Sequence, residues 1–280
     1  MAERRIIVLE LKNLHKTFNA GAYNELKVLR GLNLEIKPGG FVILLGNAGA
    51  GKTTLLDCIA GRKALDRGQV IIAGEDMTQQ PEHERAQHLA RVFQDPTTGN
   101  FPDMSVAENL ALALQRGKRR GLKLALSRLN LERFEDRLQG LNMGLEKLLH
   151  EKPHHISDLQ RQALNLLMAT WQQPAVLLLD EPTASLGQRD AGILLQITSE
   201  IIESYSQTAV LATKSIQQAA SLGDRVVMLH QGQIIHDLRG ADKESMTVND
   251  YIMLFEEARR RDQVNSVVAQ MMRRQGRQTN

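Results

Sequence analysis

The sequence predicts an α/β fold in which a parallel sheet is joined by an antiparallel β subdomain and an α-helical insertion. Three stretches carry that prediction. Phe41-Val42-Ile43-Leu44-Leu45 runs into a glycine-rich loop and then into Leu55-Leu56-Asp57-Cys58-Ile59-Ala60, a strand–loop–helix sequence. Ala175 to Leu179 is a continuous apolar run ending in Asp180, as expected of a central parallel strand buried on both faces. Between them, Ser105 to Met168 is helix-rich, so helices interrupt an otherwise alternating β/α order.

Taken in order, residues 6–14 read as a strand, with Thr17-Phe18 after it and a polar loop at 19–24. Residues 28–36 alternate as a second strand, and Lys37-Pro38-Gly39-Gly40 is a turn. After the first helix, residues 68–75 read as a hairpin strand and 90–94 as a short strand ending in a turn at Asp95-Pro96. Ser105 with Glu108 forms a capping box that opens a helix to about Gln115. A second helix is expected over 122–131, after a solvated Gly117-Lys118-Arg119-Arg120-Gly121 loop. Ser157 is the expected N-cap of a helix to about Trp171, stopped by Pro174. Beyond the 175–180 strand come a helix at 188–205, a strand at 208–213, a helix at 217–221, and strands at 225–230 and 233–237, read as further parallel strands. A basic, partly amphipathic helix over 251–272, including Met271-Met272 beside Arg273-Arg274, closes the chain.

Composition narrows the class. The 280 residues are 42% hydrophobic, enough for a sizeable core, and no apolar run approaches the 18 residues that span a bilayer. A soluble chain is expected. The one cysteine, Cys58, leaves no partner for an internal disulfide and sits where a helix should pack. The net charge is +3, but residues 256–280 carry six Arg against three acidic residues, so the remainder balances at 29 against 29. Without a basic patch on the folded body, nucleic acid is not an expected partner. His150, His154 and His155 lack a Cys or carboxylate cluster at metal spacing and read as surface residues.

The glycine-rich loop carries the chemistry. Gly46-Asn47-Ala48-Gly49-Ala50-Gly51-Lys52-Thr53-Thr54 contains G-x-x-x-x-G-K-[S/T]. Glycines let backbone N–H groups curl around an anion, and the following helix adds the positive end of its dipole. Lys52 is placed to reach the β- and γ-phosphates of a nucleotide, Thr53 to offer its hydroxyl to Mg²⁺, and Thr54 to close the nest. Hydrolysis needs two further groups. Asp180, 128 residues after Lys52, can hold the Mg²⁺ shell, and Glu181 can polarise the attacking water.

With these motifs in place, the sequence resembles the ATP-binding subunits of ABC transporters from about residue 6 to 255. Gly46 to Thr53 matches the Walker A loop, Val176 to Asp180 the Walker B strand and Glu181 the catalytic glutamate. The resemblance implies a P-loop NTPase core. It further implies that Gln94, in Val-Phe-Gln-Asp-Pro, is the Q-loop glutamine that contacts Mg²⁺ and communicates with the membrane subunit, and that Phe18 stacks on adenine. Thr247 to Tyr251 and Met228 to Gly232 look most like single-domain importer ATPases, which work with a membrane permease and a solute-binding protein. The implied organisation is a core in two parts, 1–94 and 172–246, an α-helical subdomain at 95–171 with the signature-like segment, and a C-terminal helix and tail at 247–280. The implied location is cytoplasmic and peripheral on the inner face of the cell membrane, with a second ABC ATPase subunit as homo- or heterodimer partner.

Three elements depart from the family. The signature Leu-Ser-Gly-Gly-Gln reads Ile156-Ser157-Asp158-Leu159-Gln160, so Ser157 and Gln160 remain as the ATP contacts the resemblance implies, while two glycines are lost. An Asp158 carboxylate 4 Å from a phosphate charge would be repelled by about 4 kcal/mol at an effective dielectric of 20, against a helix-end attraction of ~0.3–1 kcal/mol. A loop that turns Asp158 toward an Arg or Lys would relieve this. The switch histidine is replaced by Lys214, which can supply charge to the γ-phosphate but lacks a donor–acceptor ring. The D-loop reads Ala184-Ser185-Leu186-Gly187, without its aspartate. Together they predict secure ATP binding and impaired hydrolysis, and they leave open a non-catalytic regulatory partner in a heterodimer with an intact ABC ATPase. A soluble ABC-type ATPase of nucleic-acid maintenance or translation would be expected to carry a long coiled-coil insertion or a second ATPase domain, and neither is read here.

Overall fold

The computed structural model describes residues 7–117 and 126–275, with side chains to residue 261. The strands are β1 (Leu9–Phe18), β2 (Leu26–Ile36), β3 (Phe41–Leu45), β4 (Arg67–Ile72), β5 (Glu75–Asp76), β6 (Leu89–Val92), β7 (Val176–Asp180), β8 (Ala209–Thr213), β9 (Arg225–His230) and β10 (Gln233–Arg239). The α-helices are α1 (Lys52–Ala60), α2 (Glu82–Arg85), α3 (Val106–Leu114), α4 (Arg128–Gln139), α5 (Asp158–Thr170), α6 (Gln188–Ser204), α7 (Ile216–Ser221), α8 (Ala241–Glu244) and α9 (Val248–Gln275).

Two sheets follow from the strand patterns. An antiparallel sheet runs β2-β1-β4-β5, and a six-stranded sheet runs β10-β9-β3-β8-β7-β6. In the second, β6, β7, β8, β3 and β9 are parallel neighbours. Their apolar runs alternate between two cores: Ile43, Leu45, Leu177, Leu179 and Leu211 face a core built with α3, α5 and α6, whereas Val42, Leu44, Val176, Leu178 and Val210 face α1 and the antiparallel sheet. A period of two with both faces covered explains why these strands read as uninterrupted hydrophobic stretches. Helix α1 is thereby held between the two sheets, with Cys58 fully buried. Its C-terminal carbonyls are met by Arg85, which donates to Cys58 O and Ile59 O at 2.8 Å each.

The helical insertion is fixed by its caps. Both bonds of the Ser105–Glu108 capping box form, and Ser157 caps α5 in the same way with Gln160. Phe134 and Trp171 pack edge to face at 5.4 Å. His150, His154 and His155 are exposed, as expected of surface residues, and His155 pairs with Glu151 at 2.8 Å.

Some boundaries depart from the sequence reading. The helix expected over 122–131 is Arg128–Gln139; Ser127 caps it, and Leu131, Phe134 and Leu138 supply the inward stripe. Residues 118–125, which include part of that expectation and most of the Gly117–Gly121 loop, lie outside the described residues, as do the side chains of Met271, Met272, Arg273 and Arg274. The strand β10 is not parallel. It returns antiparallel to β9 through Gln231 and Gly232, whose φ values of 45° and 77° make a tight hairpin. Phe18 is the last residue of β1, which extends beyond the expected 6–14. Among the described residues no helix is long and apolar enough to cross a membrane.

Candidate nucleotide site

The loop at 46–54 sits where β3, buried on both sides, hands over to α1. Gly46 N donates to Thr213 O at 3.1 Å, which ties the loop to the end of β8. Two glycines there are sterically required. A Cβ on Gly46 would lie 2.7 Å from Leu229 O, and one on Gly51 would lie 2.9 Å from Val28 O at a φ of +103°. Asn47, Ala48 and Gly49 form the exposed lip, Ala50 is buried beneath it, and Thr53 and Thr54 open the helix.

Lys52 is buried and turns back over the loop. Its ammonium donates to Gly46 O at 2.7 Å and Asn47 O at 3.3 Å and pairs with Glu181 Oε1 at 3.1 Å. Thr53 Oγ1 donates to Asp180 Oδ1 at 3.2 Å. The four residues that sequence reasoning assigned to phosphate, metal and water therefore converge, although Lys52 and Glu181 are 129 positions apart. A hydroxyl beside a carboxylate is the hard-oxygen donor pair that Mg²⁺ takes, and a cation above a helix N-terminus suits a phosphate.

Glu181 occupies the left-handed region at φ 43°, uncommon for a residue with a side chain and of order 1–3 kcal/mol in strain. Its amide donates to Ala212 O, which holds the turn against β8. Lys214 Nζ lies 3.9 Å from Glu181 Oε2, and its side chain is 65% exposed. Beside them, a cleft of about 510 Å³ is lined by Glu181, Thr183, Thr213, Lys214 and Gln218. Gln218, which the sequence reading missed, accepts from Thr213 Oγ1 at 2.6 Å and donates to Thr183 Oγ1 at 3.0 Å, joining the turns that follow β7 and β8.

The remaining expected residues are more dispersed. Phe18 is half-buried, with Lys16 Nζ and Lys63 Nζ 5.8 and 5.4 Å from its ring centroid. Gln94 is exposed just after β6. Ser157 and Gln160 bond to each other through their capping box, and Gln160 Nε2 donates to Met143 O at 3.0 Å, so neither bonds to the phosphate loop of its own chain. Gly187 is the N-cap of α6 and, as a glycine, offers it no side-chain bond; among the described residues a Cβ there would meet nothing within 4 Å. Asp158 does not stand as an isolated charge: Arg161 NH1 lies 3.3 Å from Asp158 Oδ1, and the Arg161 guanidinium is itself anchored on Pro153 O. The repulsion calculated for an unpaired carboxylate is reduced accordingly, since the countercharge comes from the same helix.

Three buried polar residues had no assigned role in the sequence. Arg91, on β6, pairs with Asp57 of α1 at 2.5 Å and with Asp180 at 2.6 Å. Burial raises the Asp57 carboxyl, but hydrogen bonds and charge from Lys63 and Arg91 outweigh it and hold it below the usual value. Gln162, on α5, donates to Phe93 O at 2.7 Å and Pro182 O at 2.8 Å, which ties the segment before Gln94 to the turn after Glu181. Their common signal is a polar side chain within an apolar run, which requires a partner when buried.

Comparison with known proteins agrees with this geometry. Residues 29–184 match the ABC transporter family. The chain is 37% identical over 251 residues to the tyrosine transport ATP-binding protein of Clostridioides difficile, covering 90% of this chain and 100% of that protein. It is 34% identical to the spermidine/putrescine import ATP-binding protein PotA of Photobacterium profundum, covering 82% of this chain but only 57% of that longer protein. Among solved structures it is similar to the dimeric ATP-binding cassette MJ0796 in a post-hydrolysis state with ADP and Pi, with a TM-score of 0.71, 26% identity, and coverage of 82% and 98% of the two chains. With the matched segment spanning the phosphate loop, Asp180 and Glu181, the chain belongs to the ABC transporter ATP-binding subunits.

Proposed function

We propose that this chain powers an importer-type ABC transporter, binding ATP with Mg²⁺ and hydrolysing it on the cytoplasmic face of a separate membrane permease that receives cargo from a solute-binding protein. The observation that carries the reading is the convergence of Lys52, Thr53, Asp180 and Glu181 at the end of the parallel sheet. The α1 N-terminus and loop amides bind phosphate, and Lys52 neutralises its charge. Bound Mg²⁺ would be held by Thr53 and Asp180, with Gln94 at its edge, and supplies Lewis-acid stabilisation of the phosphate oxygens. Phosphate arriving at Lys52 competes with Glu181 for the same ammonium. That competition releases the Glu181 carboxylate to accept a proton from water. Phe18 covers the adenine, Lys214 adds positive charge near the γ-phosphate, and Ser157 and Gln160 serve the nucleotide of a second ATPase subunit.

The test is phosphate release from Mg²⁺-ATP by the purified chain, with Glu181→Gln as control. Release that falls to the control level in wild type would sink the hydrolytic reading for the chain alone. That result would favour the non-catalytic heterodimer partner, the alternative that Asp158, Leu159, Gly187 and Lys214 support. The Asp158→Gly, Leu159→Gly double variant separates the causes: faster release indicates that the signature limits turnover, and no change locates the limit elsewhere. Cargo is chosen by the membrane and solute-binding subunits; the 37% identity to a tyrosine transport ATP-binding protein makes tyrosine the first solute to assay.

A further inference from the structure

Arg91 lies on the short strand β6 beside β7, in register with Leu178. Strand alternation sends Ala90 and Val92 into the core with α3 and α5, and turns Arg91 toward the opposite side, where α1 packs. There its guanidinium spans two carboxylates, with NH1 2.5 Å from Asp57 Oδ1 and NH2 2.6 Å from Asp180 Oδ2. All three side chains are nearly closed to solvent, at 6%, 9% and 6% exposure for Arg91, Asp57 and Asp180. Lys63 holds the other Asp57 oxygen at 2.7 Å, and the Phe93 ring lies 4.9 Å from the Arg91 guanidinium carbon. Among the described residues Arg91 Nε is buried with no hydrogen-bond partner, and the two nitrogens that do bond are committed to the two carboxylates.

The consequence lies at Asp180. One of its oxygens is fixed by Arg91, and the other accepts from Thr53. Asp57 stands four residues after Thr53, one turn along the same helix, so the guanidinium braces α1 and the end of β7 together. A buried ion pair is weak evidence for stability by itself, because apolar residues of similar volume often serve as well. What an apolar residue could not do is hold the Asp180 carboxylate by one oxygen and so fix the direction in which the other faces Thr53.

We propose that Arg91 is a positioning residue for the metal–nucleotide site: with Asp57 as its anchor, it holds one oxygen of the Asp180 carboxylate and so orients the other beside Thr53, toward Mg²⁺. The inference rests on the nucleotide-site reading given above. It makes a prediction opposite in sign to that of charge alone. Removing a cation near a metal site should tighten Mg²⁺ binding by Coulomb's law, whereas removing the brace should weaken it.

The experiment uses the full chain and a fluorescent N-methylanthraniloyl-ATP, bound first in excess EDTA and then titrated with Mg²⁺, for wild type, Arg91→Lys, Arg91→Met and Lys52→Ala. Arg91→Met should bind nucleotide in EDTA within about twofold of wild type and need roughly tenfold more Mg²⁺ for half-saturation, about one factor of ten in the equilibrium constant. Arg91→Lys, which keeps the charge but lacks the fork, should fall between them and carries the test if the methionine variant does not fold. Tighter or unchanged Mg²⁺ half-saturation in a folded Arg91 variant overturns the proposal. Parallel loss of binding in EDTA and in Mg²⁺ also overturns it, by making the role one of folding only. The underlying site reading fails in a different way: Lys52→Ala would then bind nucleotide as wild type does.

Discussion

Gln162→Leu removes a fully buried amide while keeping roughly its volume. The amide nitrogen donates to Phe93 O at 2.7 Å and to Pro182 O at 2.8 Å, and its oxygen accepts from Asn165 Nδ2 at 3.2 Å. Asn165 keeps its bond to Pro96 O, so the main loss is at the two carbonyls. Each polar group stranded in the interior costs ~1–3 kcal/mol, which places the variant about 2–6 kcal/mol below wild type. At roughly 2–4 °C per kcal/mol for a chain of this size, a mid-range loss of about 4 kcal/mol lowers Tm by about 8–16 °C. Thermal unfolding followed by circular dichroism reads this directly. A folded variant with Tm within about 2 °C of wild type would refute the reasoning, because stranded carbonyls on this scale cannot be silent.

Asp237 gives a pH-dependent counterpart. Burial raises its carboxyl, but hydrogen bonds from Arg225 and Arg239 outweigh this and bring it to about 2. Because the folded value lies below the unfolded one of ~3.9, the stabilisation is present above about pH 5 and is lost as pH falls toward 2. After allowing for the third of the carboxylate that meets solvent, it amounts to about 1–2 kcal/mol, so the stability gap between wild type and Asp237→Asn in urea should narrow from pH 7 to pH 3; an equal gap at both would count against it. Phe18→Ala should weaken ATP binding by roughly 5–150-fold, the range for loss of ~1–3 kcal/mol of base stacking, while leaving tripolyphosphate binding unchanged, and equal losses for both ligands would remove Phe18 from the adenine site. The Cys58 thiol is pushed up to about 11 by burial, so native protein at pH 8 should react with iodoacetamide at least ~100-fold more slowly than protein in urea; matched rates would contradict the buried position.

Much of the site was legible because its chemistry is local. Gly46 and Gly51 answer to backbone sterics within one loop, Lys52 and Thr53 follow by fixed spacing, and Asp180-Glu181 end a strand whose burial is written in its own apolar run. The capping box at Ser105 was legible for the same reason. Pairings across elements were not. The contact of Arg91 with Asp57 and Asp180 depends on β6 lying next to β7 over α1, and no local pattern reports that adjacency. The direction of β10 depends on a Gln231-Gly232 turn that lacks the Asn or Asp usually marking such hairpins. Helix α4 lies beyond the expected 122–131 because Phe134 and Leu138 are core positions only through packing against Trp171 and its neighbours, which no local pattern reports. Relief of the Asp158 charge by an Arg or Lys is an alternative the sequence leaves open, and only the helix geometry shows Arg161, one turn along the same helix, beside it.

The central claim, that Lys52 and the loop around it form an ATP site, is tested most directly by equilibrium binding of Mg²⁺-ATP to wild type and Lys52→Ala. Loss of a charge-assisted contact worth ~1.5–3 kcal/mol predicts affinity roughly 10–150-fold weaker in the variant with the fold intact. Equal affinities would contradict the account.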